Sequence, residues 1–281
     1  MDLSPSYRLK IGLWLAFSTY LIQFPVLLGS ILGWFPLPPV VVFPPLVGLI
    51  NTKIENRGWE GLGLIFPPPL RSSFLVIILT AVKVLGYLHI FTLTGISFSF
   101  PPFSTGVMFV CLKEFVIAVF ILAMWEEIVN RGYIQTRLQE AWGFLGVLLS
   151  ALMFASLHLP SAFLEFDCEP QMAFFHFMKM FVPGFMLAFI YWRTHNTLTT
   201  IAVHGFRNFL FMIAVSYSGL DAKGLHQLRP GLQILWSVAE LLLVVCLVGQ
   251  LFPGVERKSG DLGLKAAEAQ DGSRNREVER I

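Results

Sequence analysis

Long apolar runs, separated by prolines and short polar stretches, organise this chain. Runs at 9–34, 72–94, 105–125, 144–158, 172–192, 198–218 and 232–252 each read as a membrane-spanning helix, since a span needs about 20 mostly apolar residues. The stretch 38–50 is shorter and is broken by Pro38, Pro39, Pro44 and Pro45, a pattern that suits a re-entrant or kinked segment as well as a span. Residues 51–61 are polar and read as a loop, and Pro67, Pro68, Pro69, Pro101 and Pro102 mark boundaries. The run at 105–125 should continue as helix through two glutamates to about Glu140. Residues 253–281 are polar, rich in glycine and charge, without an apolar stripe, and read as a disordered tail. The pattern predicts an all-α polytopic bundle of about eight transmembrane helices over residues 1–252, followed by the tail 253–281.

Composition agrees. Of 281 residues, 55% are hydrophobic and 14% charged, and mean hydropathy is +0.68, whereas soluble domains carry about 25% charged residues. Membrane lipid is therefore the expected surrounding. A formal charge of +2 is too small to point to nucleic acid. Cys111, Cys168 and Cys246 are odd in number and widely spaced, so neither a disulfide framework nor a cysteine zinc site follows. Arg8 and Lys10 precede an apolar run too long for a cleaved signal, which reads as a retained first span. With eight spans, Arg8, Lys10, Lys53, Arg57, Arg71, Arg131, Arg137, Arg193 and the basic tail fall on one side. The opposite loops are uncharged at 96–104 and carry Glu165, Asp167 and Glu169 at 160–171. Only 218–230, with Lys223 and Arg229, dilutes the bias, which favours eight spans over seven and predicts both termini in the cytoplasm.

Candidate chemistry lies where charge enters the apolar runs. Glu126 and Glu127 are adjacent, and Arg131 follows Glu127 by one helical turn. Charge at bilayer depth costs about 2.5–3.5 kcal/mol per central residue unless partnered. Residues four apart share a helix face, so Glu127 and Arg131 are expected to pair, holding Glu127 ionised. Glu126 points about 100° away, on the face of Asn130, free to take a proton from a water attacking a carbonyl. His158, at the end of an apolar run, can hold that water or relay its proton. His204 and Asn208 share a face and can donate to an oxyanion. His176, Lys179, Lys113, Glu114, Lys83 and Glu240 read as helix-packing or cavity-lining residues. On these residues alone the chain is a membrane protein with a buried polar site, and protease and transporter stay open; the absence of a detectable internal repeat counts modestly against a proton-relaying transporter.

The motifs add a resemblance. Glu126-Glu127-Ile128-Val129-Asn130-Arg131 resembles the Glu-Glu-x-x-x-Arg signature of the CAAX prenyl protease and bacteriocin-processing family of intramembrane endopeptidases. Phe154 to His158 is similar to its Phe-x-x-x-His motif, and His204 to Asn208 to its His-x-x-x-Asn motif, in the family's order. The likeness covers about residues 113–216. It implies a bundle of about eight helices with a polar cavity open to the cytoplasm. It also implies peptide-bond hydrolysis, with Glu126 activating water, His158 as partner, His204 and Asn208 stabilising the oxyanion, and Glu127 and Arg131 in support. Implied substrates are peptides or lipidated proteins; in the eukaryotic and archaeal branch a prenylated CAAX tail loses its last three residues. A non-catalytic scaffold or immunity protein of the same fold is the alternative. The position of Asn130 is commonly aromatic in the family, and an amide there, one turn from Glu126, is expected to hydrogen-bond to it and stabilise its charge. Glu126, His158 and His204 are the set a zinc ion would use, but without a His-Glu-x-x-His arrangement the reading favours glutamate-activated water and no metal.

Overall fold

A computed structural model of the chain describes residues 5–33, 39–66, 70–96, 102–164 and 169–252. Pro38, Pro67 to Pro69, Pro101, Glu165, Asp167, Cys168 and the tail 253–281 lie outside the described residues. Among those described there is helix and no strand. The helices are α1 (Pro5–Ile31), α2 (Pro39–Leu49, extended by a π turn at Ile50–Ile54) and α3 (Leu70–Thr94). Next come α4 (Thr105–Trp142), α5 (Phe144–Ser156), α6 (Leu159–Leu164) and α7 (Pro170–Thr194). The last are α8 (Thr197–Ser218), α9 (Ala222–Gln227) and α10 (Pro230–Leu251). Seven helical segments are long and apolar enough to cross a membrane, and Val41–Ile54 is a shorter apolar one.

That short segment serves as an eighth traverse. Arg137, near the end of α4, is fully buried and donates to Glu55 from Nε at 2.8 Å and to Asn51 Oδ1 from Nη2 at 2.7 Å. A Cβ placed on Gly12 would lie 3.5 Å from Arg137 Cδ, so the start of α1 is at the same end. Arg71 at the start of α3 donates to the carbonyl of Leu251, and Arg193 at the end of α7 to that of Phe252. The chain thus enters α1 and leaves α10 at one end of the bundle, which requires an even number of traverses. Pro44 and Pro45 sit inside α2, Pro25 inside α1 and Pro183 inside α7, as neighbouring helices allow in membranes.

The expected loop 51–61 is partly helical. The π turn Ile50–Ile54 and a 3-10 turn, Trp59–Leu62, fold it against α4. Arg57 makes a forked bond to Glu140 at 2.5 and 3.0 Å. Burial works against the Arg57 charge, but the Glu140 carboxylate outweighs it and holds the guanidinium above its ordinary pKa. The loop 218–230 also contains a helix that the apolar pattern did not predict, α9, capped by Asp221 accepting from Gly224 N.

Two apolar cores flank the interior. One joins α1, α2 and α4 through Ala16, Phe43, Val47, Trp125, Val129 and Tyr133. The other joins α3, α7, α8 and α10 through Leu75, Leu79, Met186, Ile190, Val203 and Val244. Trp14, Ile77, Phe109, Phe174 and Leu242 point outward, a perimeter suited to lipid and not to water. The site lies where α4, from the first core, meets α8, from the second.

Candidate active site

α4 is not a uniform α-helix. Two π-helical stretches, Ile117–Ala123 and Ile128–Gln135, bracket the single α turn Met124–Glu127 that carries both glutamates. Such widened turns leave the regular hydrogen-bond ladder and recur at functional sites. Glu126 and Glu127 both face His204 of α8.

Glu127 is fully buried and lies 3.4 Å from the Nε of Arg131, itself fully buried. Arg131 is held on its far side as well. Its Nη1 donates to Ser150 Oγ at 3.1 Å, and its guanidinium lies 4.6 Å from the ring centre of Phe154. Ser150 reaches Gln135, whose amide donates to the Ala188 carbonyl at 2.8 Å. The pair is therefore locked into α5 and α7 by a chain of polar contacts without surface exposure.

His204 bridges the two glutamates. Its Nδ1 is 2.8 Å from Glu127 Oε1 and its Nε2 is 3.8 Å from Glu126 Oε2. A carboxylate only accepts, so Nδ1 carries the proton and Nε2 faces Glu126. Glu126 Oε2 is buried with no hydrogen-bond partner among the described residues. His204 thus joins the Glu127–Arg131 pair that the four-residue spacing predicts.

His158 sits at the break between α5 and α6. Its Nδ1 is 2.9 Å from the Phe154 carbonyl, which only accepts, so Nδ1 bears the proton and Nε2 keeps a lone pair. The Phe154 ring stands between the two imidazoles, 4.8 Å from His158 and 6.0 Å from His204, ring centre to ring centre. Asn208 is half-buried one turn beyond His204.

One expectation is corrected. Asn130 donates to the backbone carbonyl of Glu126 at 2.9 Å and not to its carboxylate, because the side chain folds back along the helix. Lys83 of α3 and Arg207 of α8 both pair with Glu240 of α10. His176 of α7 is buried against the His158 backbone and in electrostatic contact with that ring. Sequence spacing reveals no such partners, because they come from other helices.

Close approach of α4 and α8 depends on Gly205. A Cβ there would lie 2.8 Å from Val119 Cγ2 and 3.0 Å from Val119 Cα, distances that packed atoms do not adopt. Gly132 is equally confined: its Cβ would stand 2.6 Å from the Leu62 carbonyl oxygen, where the 3-10 turn crosses α4. Among the described residues, no three of His, Cys, Asp and Glu are grouped to hold a metal ion.

Residues 108–210 match the family described as Type II CAAX prenyl endopeptidase Rce1-like, in agreement with the resemblance carried by the three motifs. No match was found among curated proteins or among solved structures. Over the matched segment, which holds Glu126, Glu127, Arg131, His158, His204 and Asn208, the chain is similar to the Rce1-like endopeptidases, and it is built as a multi-pass membrane protein.

Proposed function

We propose that the chain is an intramembrane endopeptidase in which Glu126 activates the attacking water. The observation that carries this reading is the His204 imidazole, set between the buried Glu127 and the partly buried Glu126 of α4 within the segment that matches the family. Glu126 offers an oxygen not committed to any described partner, as a base must. In the proposed reaction Glu126 takes a proton from water, and the oxygen attacks the peptide carbonyl. His158, with its Nε2 lone pair, holds the same water. The oxyanion is met by the Asn208 amide and by His204 Nε2, which donates when both ring nitrogens carry protons. The C–N bond then breaks, and the proton on Glu126 passes to the leaving amine. Glu127 is a positioning residue that fixes the His204 ring through Nδ1, and Arg131 balances its charge. We favour glutamate-activated water, and no step is assigned to a metal.

The substrate class we favour is a lipidated C-terminal peptide entering from the bilayer, a prenylated CAAX tail that loses its last three residues, in line with the family's description. The clustering of Arg57, Arg71, Arg137 and Arg193 at one end of the bundle supports a cytoplasmic position for that end and for both termini. The test is incubation of purified wild-type protein with a farnesylated CAAX peptide and its unprenylated twin, followed by mass spectrometry. Release of the terminal tripeptide from the lipidated peptide alone is expected. Cleavage of neither peptide would overturn the assignment of substrate.

A further inference from the structure

Among the charges of the spanning helices outside the site are Lys83, Arg207 and Glu240. Lys83 on α3 is 13 residues after Leu70 and 11 before Thr94. Arg207 on α8 is 10 after Thr197 and 11 before Ser218. Glu240 on α10 is 10 after Pro230 and 11 before Leu251. At 1.5 Å per residue, each stands about 15–20 Å from either end of its helix. All three occupy the middle of the bundle's thickness, where isolated charge is most costly.

There they meet. Arg207 Nη1 hydrogen-bonds to Glu240 Oε2, and Lys83 Nζ lies 3.9 Å from Glu240 Oε1. Glu240 is fully buried, Arg207 nearly so, and the Lys83 side chain is 17% exposed, with its ammonium 5.0 Å from the Tyr87 ring centre. Two cations share one carboxylate. Arg207 and Glu240 already balance, so Lys83 is in surplus, and 3.9 Å is too long for a hydrogen bond. A surplus buried cation calls for an anion. Lipid phosphates do not supply it, because headgroups lie about 15 Å from the centre of a hydrocarbon core about 30 Å thick. An anion at this depth has to arrive on an apolar carrier.

We propose that Lys83, beside Arg207, forms a subsite for the terminal carboxylate of the peptide substrate. The proposal rests on the endopeptidase reading and adds to it the means by which the enzyme measures the distance from chain end to scissile bond. His204 and Arg207 belong to one helix, about 4.5 Å apart along its axis, and the Arg207 side chain reaches away from the glutamates toward α10 and α3. Three extended residues span about 10 Å, a length that joins a carboxylate held at this cluster to a carbonyl held at His204 and Asn208. An extra or missing residue would bring the wrong bond to Glu126.

The experiment reads binding, so it does not depend on turnover. Glu126→Gln protein in lipid nanodiscs is titrated with a fluorescent farnesylated peptide ending in a free carboxylate, and with its twin ending in a carboxamide. The acid is expected to bind tighter by about tenfold or more, the scale of one charge-assisted hydrogen bond. Adding Lys83→Met should abolish that preference, and Lys83→Arg should keep it. Lys83→Met leaves the Arg207–Glu240 pair balanced, which protects the fold. Equal affinity for the two peptides, a preference that survives Lys83→Met, or no binding of either would overturn the subsite. Cleavage by wild type is measured separately, so equal binding with tripeptide release would refute the subsite and leave the endopeptidase standing.

Discussion

Arg131 is the side chain whose removal tests the buried site most severely. Glu127 and Arg131 are both fully buried, 3.4 Å apart. At that distance, with an effective dielectric of about 20, their attraction is about 5 kcal/mol before desolvation. Arg131→Met keeps the contact with Phe154 but leaves the Glu127 charge with only His204 and the Thr200 hydroxyl beside it. Orphaning one member of a buried pair costs about 3–5 kcal/mol, a large part of the roughly 5–15 kcal/mol that holds a domain folded. At roughly 2–4 °C per kcal/mol, the melting midpoint should fall by about 6–20 °C. Glu127→Gln with Arg131→Met removes both charges, and the glutamine oxygen can still accept from His204 Nδ1. The double variant should recover most of the lost stability without recovering turnover. Midpoints are compared in detergent at one scan rate by tryptophan fluorescence, since membrane proteins often unfold irreversibly. A single variant that melts within about 2 °C of wild type, or a double variant less stable than the single, would refute the reasoning.

Gly205→Ala should push α8 from α4 at Val119 and lengthen the contact between His204 and Glu127. Turnover should fall by about 100-fold, the scale of a 1 Å misplacement, and Val119→Ala should restore part of it by removing the nearest methyl. Asn208→Ala should lower kcat by about 10²–10³ with an unchanged melting midpoint; an unchanged kcat would remove it from the oxyanion site. Arg57→Gln, at a pair whose side chains are 34% and 31% exposed, should cost no more than about 1 kcal/mol. Arg137→Met, which strips the buried Glu55 carboxylate of its main partner, should cost about 3–5 kcal/mol in the same melt.

The apolar runs made the helical plan legible, including the passage of α4 through the glutamates to Trp142, because lipid demands continuous apolar length. The Glu127–Arg131 pair was legible too, since both residues lie on one helix at a four-residue spacing. The π stretches of α4 were not, because no side-chain pattern distinguishes a widened turn from a regular one. Nor was the contact of His204 with Glu127, which depends on how closely Gly205 lets α8 approach. Lys83, Arg207 and Glu240 looked unrelated because their helices are distant in sequence. A signal was present in their shared mid-helix position, which sets charges on different helices at one depth. The short α2 was ambiguous for a similar reason: its length falls below that of a full span, and only the contacts of Arg137, Arg71 and Arg193 at one end of the bundle count it as a traverse.

The central claim is that a carboxylate of α4 performs the hydrolysis. Its most direct test is single-turnover cleavage of the farnesylated peptide by wild type and by Glu126→Gln in nanodiscs, with the melting midpoint of each recorded. The account predicts tripeptide release by wild type, and a rate at least about 100-fold lower for Glu126→Gln at an unchanged midpoint. Release at the wild-type rate by Glu126→Gln would contradict it.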